Sequence, residues 1–109
     1  MRKARKKPVE IEYLTFEELE KEASEQDKTI DCKEANIKGH TVMWYDKLRK
    51  YGIEYNNVFS VETLTGKVIM DKNYVLIIGV QNEIYPCKID IFEATYEVIK
   101  WQLKICLHQ

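Results

Sequence analysis

An uninterrupted apolar run, YVLIIGV from Tyr74 to Val80, constrains the fold of this chain more than any other segment. Two turn-forming groups bound it, Asp71–Asn73 before and Gln81–Glu83 after. A strand with one wet face would alternate apolar and polar residues, whereas this run places Ile77 and Ile78 side by side. The sequence therefore predicts a central strand that is covered on both faces.

Strand-like segments lie on both sides of this run. Val58–Leu64 and Lys67–Met70 flank a Thr65–Gly66 turn and predict a hairpin. The apolar run and Ile84–Lys88 continue the series. The pattern therefore predicts an antiparallel meander.

The N-terminal part of the chain combines a strand pattern with a helix start. Pro8–Leu14 alternates apolar and acidic residues, as in a strand with one buried face. Thr15 and Glu18 have the spacing of a capping box, in which each side chain accepts a hydrogen bond from the backbone N–H of the other. A helix is predicted from Phe16 to about Gln26, with an inward face of Phe16, Leu19 and Ala23.

The middle of the chain is less regular. Asp27–Glu34 is polar and is interpreted as a loop. Thr41–Tyr45 has strand-like composition, but Asp46–Gly52 is compatible either with a continued strand or with a short helix that ends at a glycine cap. The sequence leaves both alternatives open for residues 35–55.

The C-terminal residues predict one short helical turn and then a strand. Asp90 and Glu93 repeat the capping spacing, and alternation resumes over Thr95–Ile99, a predicted strand that could neighbour Pro8–Leu14. It continues into the tail, where one side carries Trp101, Leu103, Ile105 and Leu107. Because a small sheet has few places to cover four such side chains, we expect a homodimer or higher oligomer that associates through the tail from Tyr96 to Leu107. Folding of the tail onto its own chain is the alternative.

These patterns together predict an α+β fold, a curled antiparallel sheet of about five or six strands with one N-terminal helix packed on a face. Residues 1–109 are interpreted as a single domain, since this length is common for one domain. Within it, residues 1–7 form a basic arm and residues 100–109 a candidate interface tail.

The charge balance argues against general nucleic-acid binding. The chain has 17 basic and 18 acidic side chains and a formal net charge of -1, whereas a nucleic-acid-binding domain usually has a basic excess. The positive charge is concentrated in the arm, which is either solvated or contacts phosphate groups. The cysteine spacing, the missing signal peptide and the lack of a long apolar run predict a cytoplasmic protein that does not associate with membranes.

Catalytic and metal-binding patterns are missing from the sequence. His40 and His108 have no neighbouring ligand residues, and no paired Cys or His spacing indicates a metal site. Cys87 is interpreted as a small buried residue, although an adjacent lysine could activate its thiol. We therefore predict no enzymatic activity, no metal and no cofactor. A hydrolase or nuclease would need a carboxylate cluster around Glu83 and Asp90.

Aromatic and basic residues are interleaved in the middle of the chain. This mixture can stack on bases and neutralise phosphate, but it is also typical of packed cores and of protein interfaces. The candidate ligand-binding or partner-binding residues are Trp44, Tyr45, Lys47, Arg49, Lys50, Tyr51 and Tyr55, with Phe59 beside them.

Residues 71–97, DKNYVLIIGVQNEIYPCKIDIFEATYE, resemble the C-terminal signature of a group of small bacteriophage and prophage proteins. In that group a turn, a strand that ends in Gly-Val, a Glu-x-Tyr-Pro-Cys-Lys strand and an Asp-Ile-Phe-Glu-x-Thr-Tyr-Glu ending recur. The opening RKARKKPVEIEY is similar to the Arg-Lys-Lys-Pro-Val start of the same group. Two features differ, since Asp71–Asn73 replaces a Pro-Gly-Asp turn and Ile89 replaces a usual proline.

The resemblance implies a phage-encoded accessory protein in the cytoplasm of an infected bacterial host. Together with the missing catalytic patterns, it favours a protein that acts by binding and that engages or inhibits a host protein, including a defence factor. Sequestration of a small nucleotide signal by the aromatic and basic residues is the alternative.

Overall fold

The computed structural model of the chain describes residues 1–5 and 7–99. Its elements are β1 (Glu12–Thr15), α1 (Phe16–Gln26), β2 (Cys32–Ile37), β3 (His40–Lys50), β4 (Ile53–Thr63), β5 (Gly66–Met70), β6 (Tyr74–Ile78), β7 (Ile84–Lys88) and α2 (Ile89–Thr95). The described strands form two antiparallel sheets, β1-β6-β7 and β2-β3-β4-β5. The predicted α+β class is confirmed, with two helices and two sheets where one of each was expected.

The chain changes sheets between β5 and β6, so the predicted meander is wrong. Asp71 holds the connecting turn, because its Oδ1 accepts from the Asn73 N–H at 2.8 Å and its carbonyl oxygen accepts from the Tyr74 N–H at 3.1 Å. Strand β6 leaves this turn to pair with β1 and β7 instead of β5. This second sheet lets other layers cover both faces of β6, as an apolar strand requires.

Strand β6 is buried along its apolar part, as predicted. Val75, Leu76, Ile77 and Ile78 are each at most 6% exposed. Leu76 and Ile78 belong to the main core, which α1 and both sheets share. Val75 and Ile77 pack with Phe92 of α2 on the opposite face. Each face of the smaller sheet therefore contributes to a separate apolar cluster.

Helix α1 begins at the predicted residue and buries the predicted face. Thr15 Oγ1 accepts from the Glu18 N–H at 3.2 Å, and Glu18 Oε1 accepts from the Thr15 N–H at 2.9 Å. The buried residues of the helix are Phe16, Leu19 and Ala23. Phe16 meets Phe59 of β4 edge-on, with ring centroids 5.3 Å apart. The capping box thus sets the start of the helix, and its apolar stripe sets the side that packs on the larger sheet.

Replacing Thr15 by alanine is expected to lower the free energy of unfolding by about 1 kcal/mol, because the Glu18 N–H loses its acceptor. Urea denaturation measures this change. Glu18→Ala removes the reciprocal bond, and the double variant is expected to cost less than the sum of the single variants, since both residues act in one motif. Full additivity, or an unchanged midpoint for Thr15→Ala, would contradict this account of the helix start.

Two predicted boundaries need correction. Strand β1 starts at Glu12 rather than Pro8, because β6 pairs only with Glu12–Thr15. Cys32–Glu34, predicted as loop, belongs to β2 and pairs with Met43–Tyr45 of β3. The polar composition of this segment concealed a strand, because β2 is at the edge of its sheet and tolerates polar side chains.

Residues 35–55, for which the sequence left two alternatives, form strands that are joined by a tight turn at Tyr51 and Gly52. Strand β3 runs to Lys50 and pairs with β4 across Tyr51 and Gly52, whose φ angles are 53° and 76°. Positive φ at both residues is typical of the type I′ turn that joins two strands. Gly52 therefore serves the turn, and the helical alternative for Asp46–Gly52 is wrong.

The C-terminal helix is longer than the single turn predicted. Its N-terminal cap is Lys88, which makes no side-chain capping bond, and Asp90 lies inside the helix. The helix continues through Thr95, whose hydroxyl donates to the Ile91 carbonyl oxygen at 2.8 Å. Because Thr95 is helical, Tyr96 caps this helix and residues 97–99 belong to no described strand, the predicted Thr95–Ile99 strand is wrong. The predicted self-association residues lie outside the described residues; they are Trp101, Leu103, Ile105 and Leu107.

Candidate functional site

The candidate binding residues all lie on the long hairpin, which consists of β3, the Tyr51–Gly52 turn and β4. Its register pairs Leu48 with Tyr55 and Lys50 with Ile53. Successive side chains of a strand point to opposite faces. One face therefore carries Trp44, Lys50 and Tyr55, and the other carries Tyr45, Lys47 and Arg49. The structure gathers these residues on one element but divides them between its two faces.

The outer half of the long hairpin is a two-stranded ribbon. Strand β2 pairs with β3 only as far as Tyr45, and β5 pairs with β4 only from Phe59 onward. Beyond these residues, β3 and β4 continue to pair with each other up to Lys50 and Ile53. The ribbon therefore extends past the rest of the described sheet.

Trp44 is engaged by the fold. It is partly buried against the main core, and its indole Nε1 donates to Asn57 Oδ1 at 2.7 Å. Lys33 Nζ lies 5.9 Å from the centroid of the ring, a cation–π distance. Phe59, which pairs with Trp44 across the strands, is fully buried. Two aromatic residues of the interleaved segment thus hold the fold together.

The hairpin tip, residues 49–54, presents its side chains to solvent. Tyr51 is 90% exposed and Ile53 is 54% exposed. Lys50 Nζ lies 5.5 Å from the centroid of the Tyr51 ring, and Arg49 Nη2 lies 3.6 Å from Glu54 Oε2. An ion pair as exposed as this one contributes little stability. The tip is therefore a surface of aromatic, aliphatic and basic side chains that the fold itself does not require.

The loop between α1 and β2 supports the Trp44 side of the hairpin. Asp27 Oδ1 accepts from the Thr29 N–H at 2.9 Å, and Asp27 Oδ2 accepts from the Glu34 N–H at 3.0 Å. Lys33 Nζ, which lies over Trp44, donates to the Asp27 carbonyl oxygen at 3.1 Å. Hydrogen bonds from the Thr29 hydroxyl, the Thr29 N–H and the Glu34 N–H stabilise the carboxylate and lower the pKa of Asp27 to about 2.

Asp27→Asn is expected to reduce the loss of stability in acid. Because folding lowers the pKa of Asp27 from 3.8 to about 2, the ionised carboxylate contributes fully above about pH 4, and its contribution is lost as the pH falls through about 2. Urea denaturation at a series of pH values across this window should show a shallower decline for Asp27→Asn than for the wild type. Glu25→Gln, an exposed change on α1, is the control. Parallel curves for Asp27→Asn and the wild type would contradict the prediction.

Side chains at the end of α1 close the open edge of β2. Gln26 Oε1 accepts from the Asn36 N–H at 2.6 Å, and Gln26 Nε2 donates to the Asn36 carbonyl oxygen at 3.1 Å. The amide thus bonds to the edge backbone as another strand would, and Asp27 accepts the Glu34 N–H on the same strand. Pro86 lies within β7, an edge of the smaller sheet, and has no backbone N–H to donate. Since open edges recruit other chains, these features protect the edges formed by β2 and β7.

Glu83 precedes β7, and Asp90 lies in α2 after it. The five residues of the strand and Ile89 separate them, and the strand alone rises about 17 Å. In the part of the chain that the structure describes, no group of three His, Cys, Asp or Glu side chains is placed to hold a metal ion. Desolvation, with a smaller effect of Asp90, raises the pKa of the Cys87 thiol and so disfavours the reactive thiolate. The hydrolase or nuclease alternative gains no support from these positions.

A groove of about 830 Å³ lies between the two ends of the described chain. Residues 8–13 form one wall, residues 95–99 form the other, and Phe92 lines it between them. The Phe92 ring centroid lies 4.6 Å from that of Tyr13 and 5.4 Å from that of Tyr96. Burial and a hydrogen bond with Tyr96 raise the pKa of the neighbouring Tyr85 to about 12, so this phenol stays neutral. The sequence alternation predicts that these two walls are neighbouring strands, whereas in the structure the groove separates them.

No family model, no curated protein and no solved structure matches the chain. Neither of the two described helices has the length and apolar character needed to span a membrane.

Proposed function

We propose that the protein is a phage-encoded accessory protein that binds a host protein, a defence factor by class, through the tip of the long hairpin. The observation that carries the binding role is the ribbon, which extends past the rest of the described sheet and exposes Tyr51 and Ile53 at its end. The resemblance of residues 71–97 to phage proteins supports the phage origin and the host partner.

The tip has residue types that dominate protein interfaces. Tyr and Arg are enriched among the residues whose truncation weakens binding most, and the tip places Tyr51 beside Arg49 and Lys50. Ile53 adds apolar area that a partner would bury. The type I′ turn restrains the backbone, so binding would cost little conformational freedom.

The same geometry is less suited to the sequestration of a small nucleotide. Small ligands bind in concave sites that enclose most of their surface, whereas the candidate residues occupy two faces of a ribbon and its turn. Trp44, the largest stacking surface among them, already contacts Asn57 and Lys33. A protein partner can instead contact the exposed tip and both faces of the ribbon beside it.

Self-association is a separate part of the proposal. The alternation of Trp101, Leu103, Ile105 and Leu107 supports a homodimer, because four apolar side chains on one side of a terminal segment favour a partner surface. The hairpin tip is not required for this association.

Tyr51→Asn is expected to weaken capture of the host partner at least about tenfold, equivalent to about 1.4 kcal/mol of binding free energy. Asparagine tolerates the positive φ of this turn position, so the change removes the aromatic ring and keeps the backbone. Tagged wild-type and variant proteins are incubated with lysate of the bacterial host, and the captured proteins are quantified by mass spectrometry.

Leu64→Asn is the matched control, because Leu64 is 88% exposed in the turn between β4 and β5. Its capture of the partner should equal that of the wild type. Full capture by Tyr51→Asn, or equal losses in both variants, would overturn the tip as the contact surface. A nucleotide that copurifies with the protein and raises its melting temperature would favour sequestration instead, and magnesium-dependent turnover would favour an enzyme.

A further inference from the structure

The sequences of both groove walls alternate as strands do, but of the wall residues only Glu12 and Tyr13 belong to a described strand. Val9, Ile11 and Tyr13 alternate with Glu10 and Glu12, yet the strand β1 begins only at the last acidic residue of this series. On the other wall, residues 97–99 belong to no strand of the described chain. The backbone of residues 8–11 and 97–99 is therefore outside both described sheets, and an added strand can pair with it.

Apolar side chains on both walls are exposed. Val9 is 48% exposed, Val98 is 43% exposed and Ile99 is 55% exposed. Aromatic rings of Tyr13 and Phe92 line the space between them. A groove of about 830 Å³ is as large as clefts that enclose whole ligands. Exposed apolar side chains that line a groove of this size form a candidate binding surface.

The chain itself supplies a segment that complements this groove. Residues 100–109, KWQLKICLHQ, follow directly from Ile99 on one wall, and they alternate apolar and polar side chains. Lys100 and Lys104 stand on the polar side of that alternation. The described lining of the groove has three acidic side chains and no basic one. These acidic residues are Glu10, Glu12 and Glu97, of which Glu12 already has Lys38 Nζ at 3.5 Å.

The sequence favours the groove of a second copy over the tail's own groove. To enter its own groove, the tail would have to reverse direction just after Ile99, and tight turns favour Gly, Pro, Asn, Asp and Ser. None of these residues occurs after Asp90. A second copy related by a two-fold axis presents the same groove, so that each tail fills the groove of the other copy.

We propose that the groove binds residues 100–107 of a second copy, which add as a strand along residues 8–13. This assignment rests on the proposed self-association and names the surface that receives the tail. It does not involve the hairpin tip, so host binding and self-association can fail independently.

Val9→Lys tests the groove, because it places a charge among the apolar side chains that the apolar side of the tail would cover. Sedimentation equilibrium of the full-length protein is expected to show a dimer for the wild type and a dissociation constant raised at least about tenfold for Val9→Lys. Val80→Lys is the matched control, since Val80 is 66% exposed in the turn between β6 and β7, outside the groove. Its dissociation constant should equal that of the wild type.

A full-length tail variant with Leu103→Asp and Ile105→Asp should be monomeric. Mixed with Val9→Lys it is expected to form a one-to-one heterodimer, because one protein then supplies an intact tail and the other an intact groove. A monomeric wild type would overturn the self-association itself. Two results would overturn the groove as the receiving site but leave self-association standing. One is that the tail variant loses the dimer while Val9→Lys has no effect, and the other is that mixing the two variants gives no heterodimer.

Discussion

Phe59→Ala is expected to lower the free energy of unfolding by about 3–5 kcal/mol. Phe59 is fully buried in β4, opposite Trp44 on one neighbouring strand and Met70 on the other. Its ring meets Phe16 of α1 at 5.3 Å, so truncation leaves a cavity where the helix packs on the larger sheet. A domain of ordinary stability, about 5–15 kcal/mol, would lose a large part of it.

Urea denaturation followed by tryptophan fluorescence measures this loss, because Trp44 pairs with Phe59 across the strands. Phe59→Leu keeps much of the apolar volume and should cost clearly less than Phe59→Ala. Glu62→Ala, an exposed change on the same strand, is the control and should stay within about 0.5 kcal/mol of the wild type. A midpoint for Phe59→Ala close to that of the control would contradict the packing of α1 at this position.

Local interactions explain which parts of the fold the sequence predicts. The start of α1 depends on Thr15 and Glu18, three residues apart, and the capping box is visible in the sequence. The turn at Tyr51–Gly52 has a weaker signal, because type I′ turns favour Asn-Gly or Asp-Gly. A glycine after a tyrosine was equally compatible with the end of a helix, so the sequence could not choose.

The division into two sheets depends on contacts between residues that are far apart in the chain. Thr15 pairs with Val75 and Glu12 pairs with Ile78. Local patterning identified β6 as a strand that needs cover on both faces, but it carries no information about which strand becomes its neighbour. The hydrogen bonds of Gln26 to the Asn36 backbone could not be predicted either, because a single glutamine at a helix end does not indicate that it closes a sheet edge.

The candidate site shows how a change of secondary structure rearranges a surface. In a helix, Lys47 and Lys50 would lie on one face, because residues three apart are neighbours there. In strand β3 they lie on opposite faces. The sequence composition therefore predicted which residues belong to the candidate site. Their division between two faces follows from the strand structure of this segment, which the local sequence pattern did not predict.

Phe92→Ala is expected to cost about 3 kcal/mol of stability and to weaken self-association as well. Phe92 is the buried residue of α2, and its ring contacts those of Tyr13 and Tyr96. Its removal uncovers Val75 and Ile77 on the outer face of the smaller sheet. The expected cost is near the lower end of the range for such changes, because a helix of seven residues can shift to fill part of the cavity.

Comparison of Phe92→Ala with Phe59→Ala separates loss of stability from loss of the groove. Both changes remove a buried ring, but only Phe92 lines the groove between residues 8–13 and 95–99. At a temperature where both variants are folded, sedimentation equilibrium should show a dissociation constant raised at least about tenfold for Phe92→Ala and unchanged for Phe59→Ala. Phe92→Leu retains an apolar side chain and should restore most of the association. Equal weakening in both alanine variants would mean that association follows overall stability and that the groove is not where the copies meet.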